Sequence, residues 1–270
     1  MTGLTAPPGI RLVALDIDDT LIPWRGTLSP RVIAAVQTVH AAGVEVVLAT
    51  GRGIHDVAHL AAELGLDEMW ALCSNGSVIV RITGGAYEIR ERITFDPRGI
   101  VAALRRHDPI APVAIESSGI GYLVDGDPYE GQAPHVAGTI GDLPHEVTFL
   151  SVASAQLDAD AMLALSVGHP VRAVPYVHDG WVTVDIVHAD AGKGAALAAL
   201  AASLGVGPQH CAAVGDYLND LPMLEWAGWA VAMGQAPAAV REAADAVVAA
   251  SVDDGAAEAL EALALAASRA

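Results

Sequence analysis

Lysine is all but missing: Lys193 is the only one in 270 residues, and the other basic side chains are arginines and histidines. Cysteine is nearly as scarce. Cys73 and Cys211 are too few for a disulfide scaffold, and each ends an apolar run, where a free thiol behaves as a small buried hydrophobe. Aromatic residues make up 4% of a chain that is 53% hydrophobic, so alanine, valine and leucine must build the core, as in close packing of helix on sheet. No apolar run approaches the roughly 20 uncharged residues that span a bilayer. The start, MTGLTAPPGIRL, lacks the basic and apolar regions of a signal peptide, so a cytoplasmic protein without a membrane partner is expected. Positive charge is short as well. Fourteen Lys and Arg face 32 Asp and Glu, a formal charge of −18 that argues against a nucleic-acid partner.

The length exceeds one typical domain, and the pattern along the chain divides it into two, with a monomer or homodimer expected. Arg11 to Ile17 is an apolar run that reads as a buried strand. Ser29 and Pro30 then offer a helix cap and first turn, apolar residues recur at Val32, Ile33, Val36 and Val39, and Gly43 ends the helix. Val44 to Ala49 and Met69 to Cys73 are the next strands, with a helix between them ending near Gly65. From about Ile82 the pattern changes to a hairpin signal at Thr83 to Gly85, a helix near Pro97 to Arg106, and Gly- and Pro-rich strands up to Ile186. After Gly192 the alternation of helix and strand returns, with strands at Cys211 to Val214 and Ala230 to Met233 and an Ala-rich terminal helix. The predicted fold is α/β: a Rossmann-like three-layer core with a parallel sheet (1–82 and 186–270), interrupted by an inserted α+β domain (83–185).

In a parallel sheet, ligands bind at the carboxyl ends of the strands. The first strand ends in Asp16-Ile17-Asp18-Asp19-Thr20, where two carboxylates one residue apart can share a metal or divide the roles of nucleophile and acid. Taken alone, such an acid run is also an ordinary turn or cap. The second strand ends in LATGR, so Thr50, Gly51 and Arg52 place a hydroxyl and free amides at the same edge, suited to an anion or to plain capping. Val214 to Leu224 adds Asp216, Asn219 and Asp220 at a third strand end. A cluster of this many carboxylates repels itself unless a hard divalent cation such as Mg²⁺ is bound among them.

Together, DIDDT, the threonine of LATGR, a lysine opening a helix, and GDYLND resemble, in family order, the haloacid dehalogenase-like phosphatase superfamily and its Cof-type hydrolases. SNGS at Ser74 to Ser77 and AVAMGQAPAAVREAADAVV with DDGAAEAL support the likeness, which covers about residues 11–82 and 186–262. The resemblance implies a Mg²⁺-dependent phosphatase of small phosphorylated metabolites, with Asp16 as nucleophile forming an aspartyl phosphate and Asp18 as acid and then base. It implies Mg²⁺ held by the Asp16 carboxylate, the Asp18 main-chain carbonyl and Asp216, with Asp220 behind them. Thr50, Gly51, Lys193 and Asn219 would bind the phosphoryl group. Lysine suits that place because its head is a compact point charge, whereas arginine is a broad planar fork. The inserted segment would cap the site and choose the leaving group.

Asp19 departs from the family pattern, in which glycine is frequent at that position. Trp24 and Arg25 lie where relatives have a flap, and an exposed loop pair is the alternative there. His55-Asp56-Val57-Ala58-His59 superficially matches a zinc-protease motif, but aspartate is shorter than the required glutamate and no third ligand is evident, so a solvated helix face is expected. Glu116, Tyr122, His135, His178 and Asp179 are polar candidates in the insert, with packing as the default. Two other functions fit parts of the pattern. A phosphosugar mutase shares this kind of cap, and a phospho-receiver module shares the Asp, hydroxyl and lysine set, although not their order.

Overall fold

The computed structural model describes residues 4–117, 121–126, 136–178 and 180–269. Strand β1 (Leu12–Leu15) is buried throughout, and its side chains alternate between two apolar clusters. Val13 and Leu15 pack with Val36 and Val39, whereas Leu12 and Ala14 pack with Leu197 and Met223. A strand covered on both faces has no polar alternation, which is why this stretch reads as a continuous apolar run. Helix α1 (Pro30–Ala41) starts where the Val32 N–H donates to Ser29 Oγ at 3.1 Å and buries Val32, Ala35, Val36 and Val39. β2 (Glu45–Ala49), α2 (Ile54–Glu63) and β3 (Glu68–Cys73) continue the alternation.

β4 (Val78–Thr83) and β5 (Ala86–Arg92) form the hairpin foreseen at Thr83 to Gly85, and they extend the same sheet antiparallel at its edge. Then come α3 (Arg98–His107), β6 (Val113–Ser117), β7 (Gly121–Asp125), β8 (Val136–Thr139), β9 (Leu150–Ser154), α4 (Ala159–Ala164), β10 (Val171–His178) and β11 (Trp181–His188). α5 (Lys193–Ser203), β12 (Cys211–Gly215), α6 (Leu221–Trp226), β13 (Trp229–Ala232), α7 (Ala238–Glu242), β14 (Ala246–Val247) and α8 (Gly255–Ala267) complete the chain.

Among the described residues, these strands form two sheets. One has eight strands in the order β14-β13-β12-β1-β2-β3-β4-β5, parallel from β14 to β3, with α1, α2 and α8 on one face and α5 and α6 on the other. The other has six strands in the order β10-β11-β9-β6-β7-β8, with α3 and α4 packed on one face through Ile100, Leu104 and Met162. Membership of the larger sheet therefore runs to Arg92, and that of the smaller to His188. Among the described residues, no helix is long and apolar enough to cross a membrane.

Candidate active site

β1 delivers Asp16 to the carboxyl edge of the larger sheet, where its N–H donates to the Val214 carbonyl at the end of β12. The Asp16 side chain is 6% exposed. α5 opens with Lys193, whose Nζ donates to Asp16 Oδ1 and to Asp220 Oδ1, each at 2.6 Å, with 1% of the side chain exposed. Burial disfavours the ammonium, but Asp16 and Asp220 outweigh it and hold the lysine above its ordinary range. Asp220 is committed on both sides, since its Oδ2 accepts from the N–H groups of Asp216 and Tyr217 at 2.9 and 3.0 Å. Gly215 makes room for it: a Cβ there would come within 2.6 Å of the Asp220 carboxyl carbon.

Asp216 completes the group. Single oxygens of Asp16, Asp216 and Asp220 lie within 4.8 Å of one another, all three residues buried. Burial, then Asp220 and Asp216 against the pull of Lys193, push Asp16 well above the usual carboxylate range. Burial and the charge of Asp220, against the pull of Lys193, push Asp216 up to about 7. One lysine against three buried acids leaves excess negative charge. An all-oxygen donor set of this kind fits a hard divalent cation. Among the described residues, His55 and His59 belong to no such group: their rings lie 4.6 Å apart, and His59 Nδ1 contacts the His55 carbonyl at 2.8 Å.

Asp18 stands apart from the buried acids. Its side chain is 52% exposed and is held by Arg52 through Nη2 at 2.6 Å and Nε at 3.1 and 3.2 Å. Arg52 is a neighbour that the strand-end pattern located without predicting this pairing. Thr50 is fully buried, and its Oγ1 accepts from the Arg52 N–H at 3.0 Å, so this loop is folded around the threonine. Gly51 follows with its Cα facing Asn75. Asn219 donates to Asn75 Oδ1 at 2.9 Å. Asn75 was visible only as part of a family-like tetrapeptide, yet Ser74, Asn75 and Gly76 all have positive φ (52, 53 and 83°), the signature of a tight connection that brings its amide back to the site. Asp19 also has positive φ, 57°, which accounts for the frequency of glycine there. Its carboxylate turns away to accept from the Trp24 N–H at 2.6 Å. Trp24 is 55% exposed, and Arg25 sits in the same turn at φ 58°.

The smaller sheet lies across this edge. Tyr176 of β10 stacks on Tyr217 with centroids 5.2 Å apart, and its hydroxyl is pushed up by burial and by the charges of Asp185, Asp220 and Asp16. Glu116 of β6 is buried against the larger sheet. Its Oε1 accepts from the Ile54 N–H at 3.3 Å, and its Oε2 accepts from Ser74 Oγ at 2.6 Å and Thr148 Oγ1 at 2.8 Å. Tyr122 packs edge-on to Phe149 at 5.9 Å, within an apolar patch. His135 and Asp179 lie outside the described residues, as does the side chain of His178. Cys73 and Cys211 are free and buried, as expected, and burial raises both thiols.

The profile of the haloacid dehalogenase-like hydrolases matches residues 13–126 and 153–260. The chain is 30% identical to the pyridoxal phosphate phosphatase YbhA of Escherichia coli (strain K12), across 92% of this chain and 96% of that protein. It is 27% identical to the putative phosphatase YxeH of Bacillus subtilis (strain 168), across 95% and 99%. In fold it is similar to a haloacid dehalogenase-like hydrolase from Bacteroides thetaiotaomicron, with a TM-score of 0.76 at 23% identity over 93% of this chain and 98% of that one. The strand-end motifs and the profile match over most of the chain lead to one conclusion: this protein belongs to the haloacid dehalogenase-like hydrolase family.

Proposed function

We propose that the protein is a Mg²⁺-dependent phosphatase of small phosphorylated metabolites, sugar phosphates or related phosphomonoesters, acting through a phosphoaspartate at Asp16. The observation that carries this reading is the buried group of Asp16, Asp216 and Asp220 around Lys193, at the carboxyl ends of the parallel strands β1 and β12. The relatives named as phosphatases support it. A Mg²⁺ ion, held by the carboxylates of Asp16 and Asp216 and the Asp18 carbonyl with Asp220 behind them, would supply the positive charge that this acid cluster and a phosphoryl group both require.

In this reading an Asp16 oxygen attacks phosphorus while the bond to the leaving oxygen breaks and Asp18 protonates that oxygen. Asp18 then takes a proton from water as the water oxygen attacks phosphorus. The phosphorus–oxygen bond to Asp16 breaks, and phosphate and the free carboxylate are restored. The half-exposed Asp18 suits proton exchange, and Arg52 keeps its carboxylate oriented between turnovers. Thr50, the Gly51 amide, Lys193 and Asn219 bind the phosphoryl oxygens, and Lys193 exchanges part of its contact with Asp16 for them. The inserted segment, expected at 83–185 and by sheet membership following Arg92 and ending at His188, serves as the cap that shields the reaction from water, with the unit of the larger sheet as the catalytic core. The test is turnover of a phosphomonoester panel with Mg²⁺ and with excess chelator. Activity that survives complete chelation, or none on any ester with Mg²⁺ present, contradicts the proposal.

A further inference from the structure

A cavity of about 240 Å³ opens beside Lys193 and Asn219. Its far wall is the face of the smaller sheet that α3 and α4 leave uncovered. The antiparallel register pairs Arg172 with Val187 and Val174 with Asp185, so these four side chains share one face, opposite Val184 and Ile186 in the helix-covered core. Two groups on this wall carry opposite charge. Asp185 Oδ1 accepts from Ser151 Oγ at 2.9 Å, and the carboxyl is pushed up to about 7 by burial and, against the Ser151 bond, by the charge of Asp18. Arg172 sits at the other end against Gly192, where a Cβ would come within 2.9 Å of Nη1, and its Nη2 makes one long contact to the Ala189 carbonyl at 3.4 Å.

The charge balance of the cavity singles out Arg172. Lys193 is already shared between Asp16 and Asp220, so among the described residues lining this space Arg172 is the one cation without a carboxylate partner. It stands on a chain with a formal charge of −18 that would otherwise repel a polyanion. A planar guanidinium with free donors matches a carboxylate two-on-two. Val174, Val187 and Leu218 add apolar wall, Asn75 lines the cavity beside Asn219, and the volume lies below the usual range for drug-sized ligands.

We propose that this cavity is a leaving-group subsite for compact phosphomonoesters that carry a carboxylate, bound by Arg172, and a free hydroxyl, donated to Asp185. The proposal rests on the phosphatase reading and deepens it. The test compares kcat/KM for 3-phosphoglycerate with that for glycerol 3-phosphate, which differ in having a carboxylate or a hydroxymethyl group, and p-nitrophenyl phosphate reports turnover as such. One charged hydrogen-bonded contact corresponds to a preference of about 10- to 100-fold for the carboxylate, expressed mainly in KM. Arg172→Gln should bring the ratio close to one, with Arg172→Lys between. Asp185→Asn should lower the ratio of 3-phosphoglycerate to 2-phosphoglycolate, which lacks a hydroxyl. Hydrolysis of p-nitrophenyl phosphate with no carboxylate preference, or a preference that Arg172→Gln leaves intact, overturns the subsite while the phosphatase reading stands. No turnover of any ester removes both.

Discussion

Replacing Glu116 by alanine tests whether the smaller sheet is tied to the catalytic edge as the geometry indicates. The substitution removes an acceptor for the Ile54 N–H, Ser74 Oγ and Thr148 Oγ1, at a residue 5% exposed. Hydrogen bonds to a charged group contribute about 1.5–3 kcal/mol each. Both hydroxyls can turn to other acceptors and water can enter, so the net loss is about 3 kcal/mol rather than the sum. For a chain of this size that lowers the melting temperature by about 5 °C. Activity should fall too, because Ser74 N–H donates to the Arg52 carbonyl at 2.9 Å, and Arg52 holds Asp18. A displacement of about 1 Å at the reacting groups costs on the order of 100-fold. Differential scanning calorimetry and steady-state kinetics on the variant, with Glu116→Gln as an intermediate case, give both readouts. A melting temperature within about 1 °C of the parent, together with unchanged kcat, would show that Glu116 does not tie the two sheets together.

Other consequences can be measured separately. Lys193→Arg should lower kcat by about 100-fold or more, because no room exists for a guanidinium between two carboxylates 2.6 Å from Nζ; near-normal kcat would refute this. Mg²⁺ at about 100 times its dissociation constant should stabilise the protein by about 2.7 kcal/mol, and Asp216→Asn should abolish the thermal shift. An equal shift in that variant would place the metal elsewhere. Asp185, held near pH 7 when folded against an ordinary value of 3.8, keeps its proton longer in the folded state. Its contribution is therefore full below pH about 4 and is lost as pH rises toward 7. Asp185→Asn should flatten that window and gain about 1–2 kcal/mol at pH 8, measured by denaturant titration, and an unchanged slope would argue against it.

The convergence of the candidate residues on one edge was legible because a parallel α/β sheet brings every strand's carboxyl end to one side. DIDDT, LATGR and GDYLND therefore had to meet once β1, β2 and β12 were identified. Lys193 was legible through its rarity. The edge hairpin was foreseen at its turn, but its second strand was assigned to the insert for a physical reason: β5 is exposed at every position, so no buried face ties it to the core sheet. The contacts of Arg172, Asp185 and Glu116 depend on the register of β10, β11, β9 and β6, which includes pairings between strands far apart in the chain and which one sequence does not reveal. The bond from Arg52 to Asp18 joins two loops 34 residues apart, and no local pattern encodes it.

The proposed chemistry passes through a covalent phosphoryl group on Asp16. Rapid mixing with a reactive phosphomonoester and Mg²⁺, followed by quenching and borohydride reduction, converts an aspartyl phosphate into homoserine, and peptide mass mapping then locates it. Homoserine is expected at position 16, with none in Asp16→Asn and more of it in Asp18→Asn, which forms the phosphoenzyme but does not activate water. Homoserine at another aspartate, or none at any time point during active turnover, would contradict this chemistry.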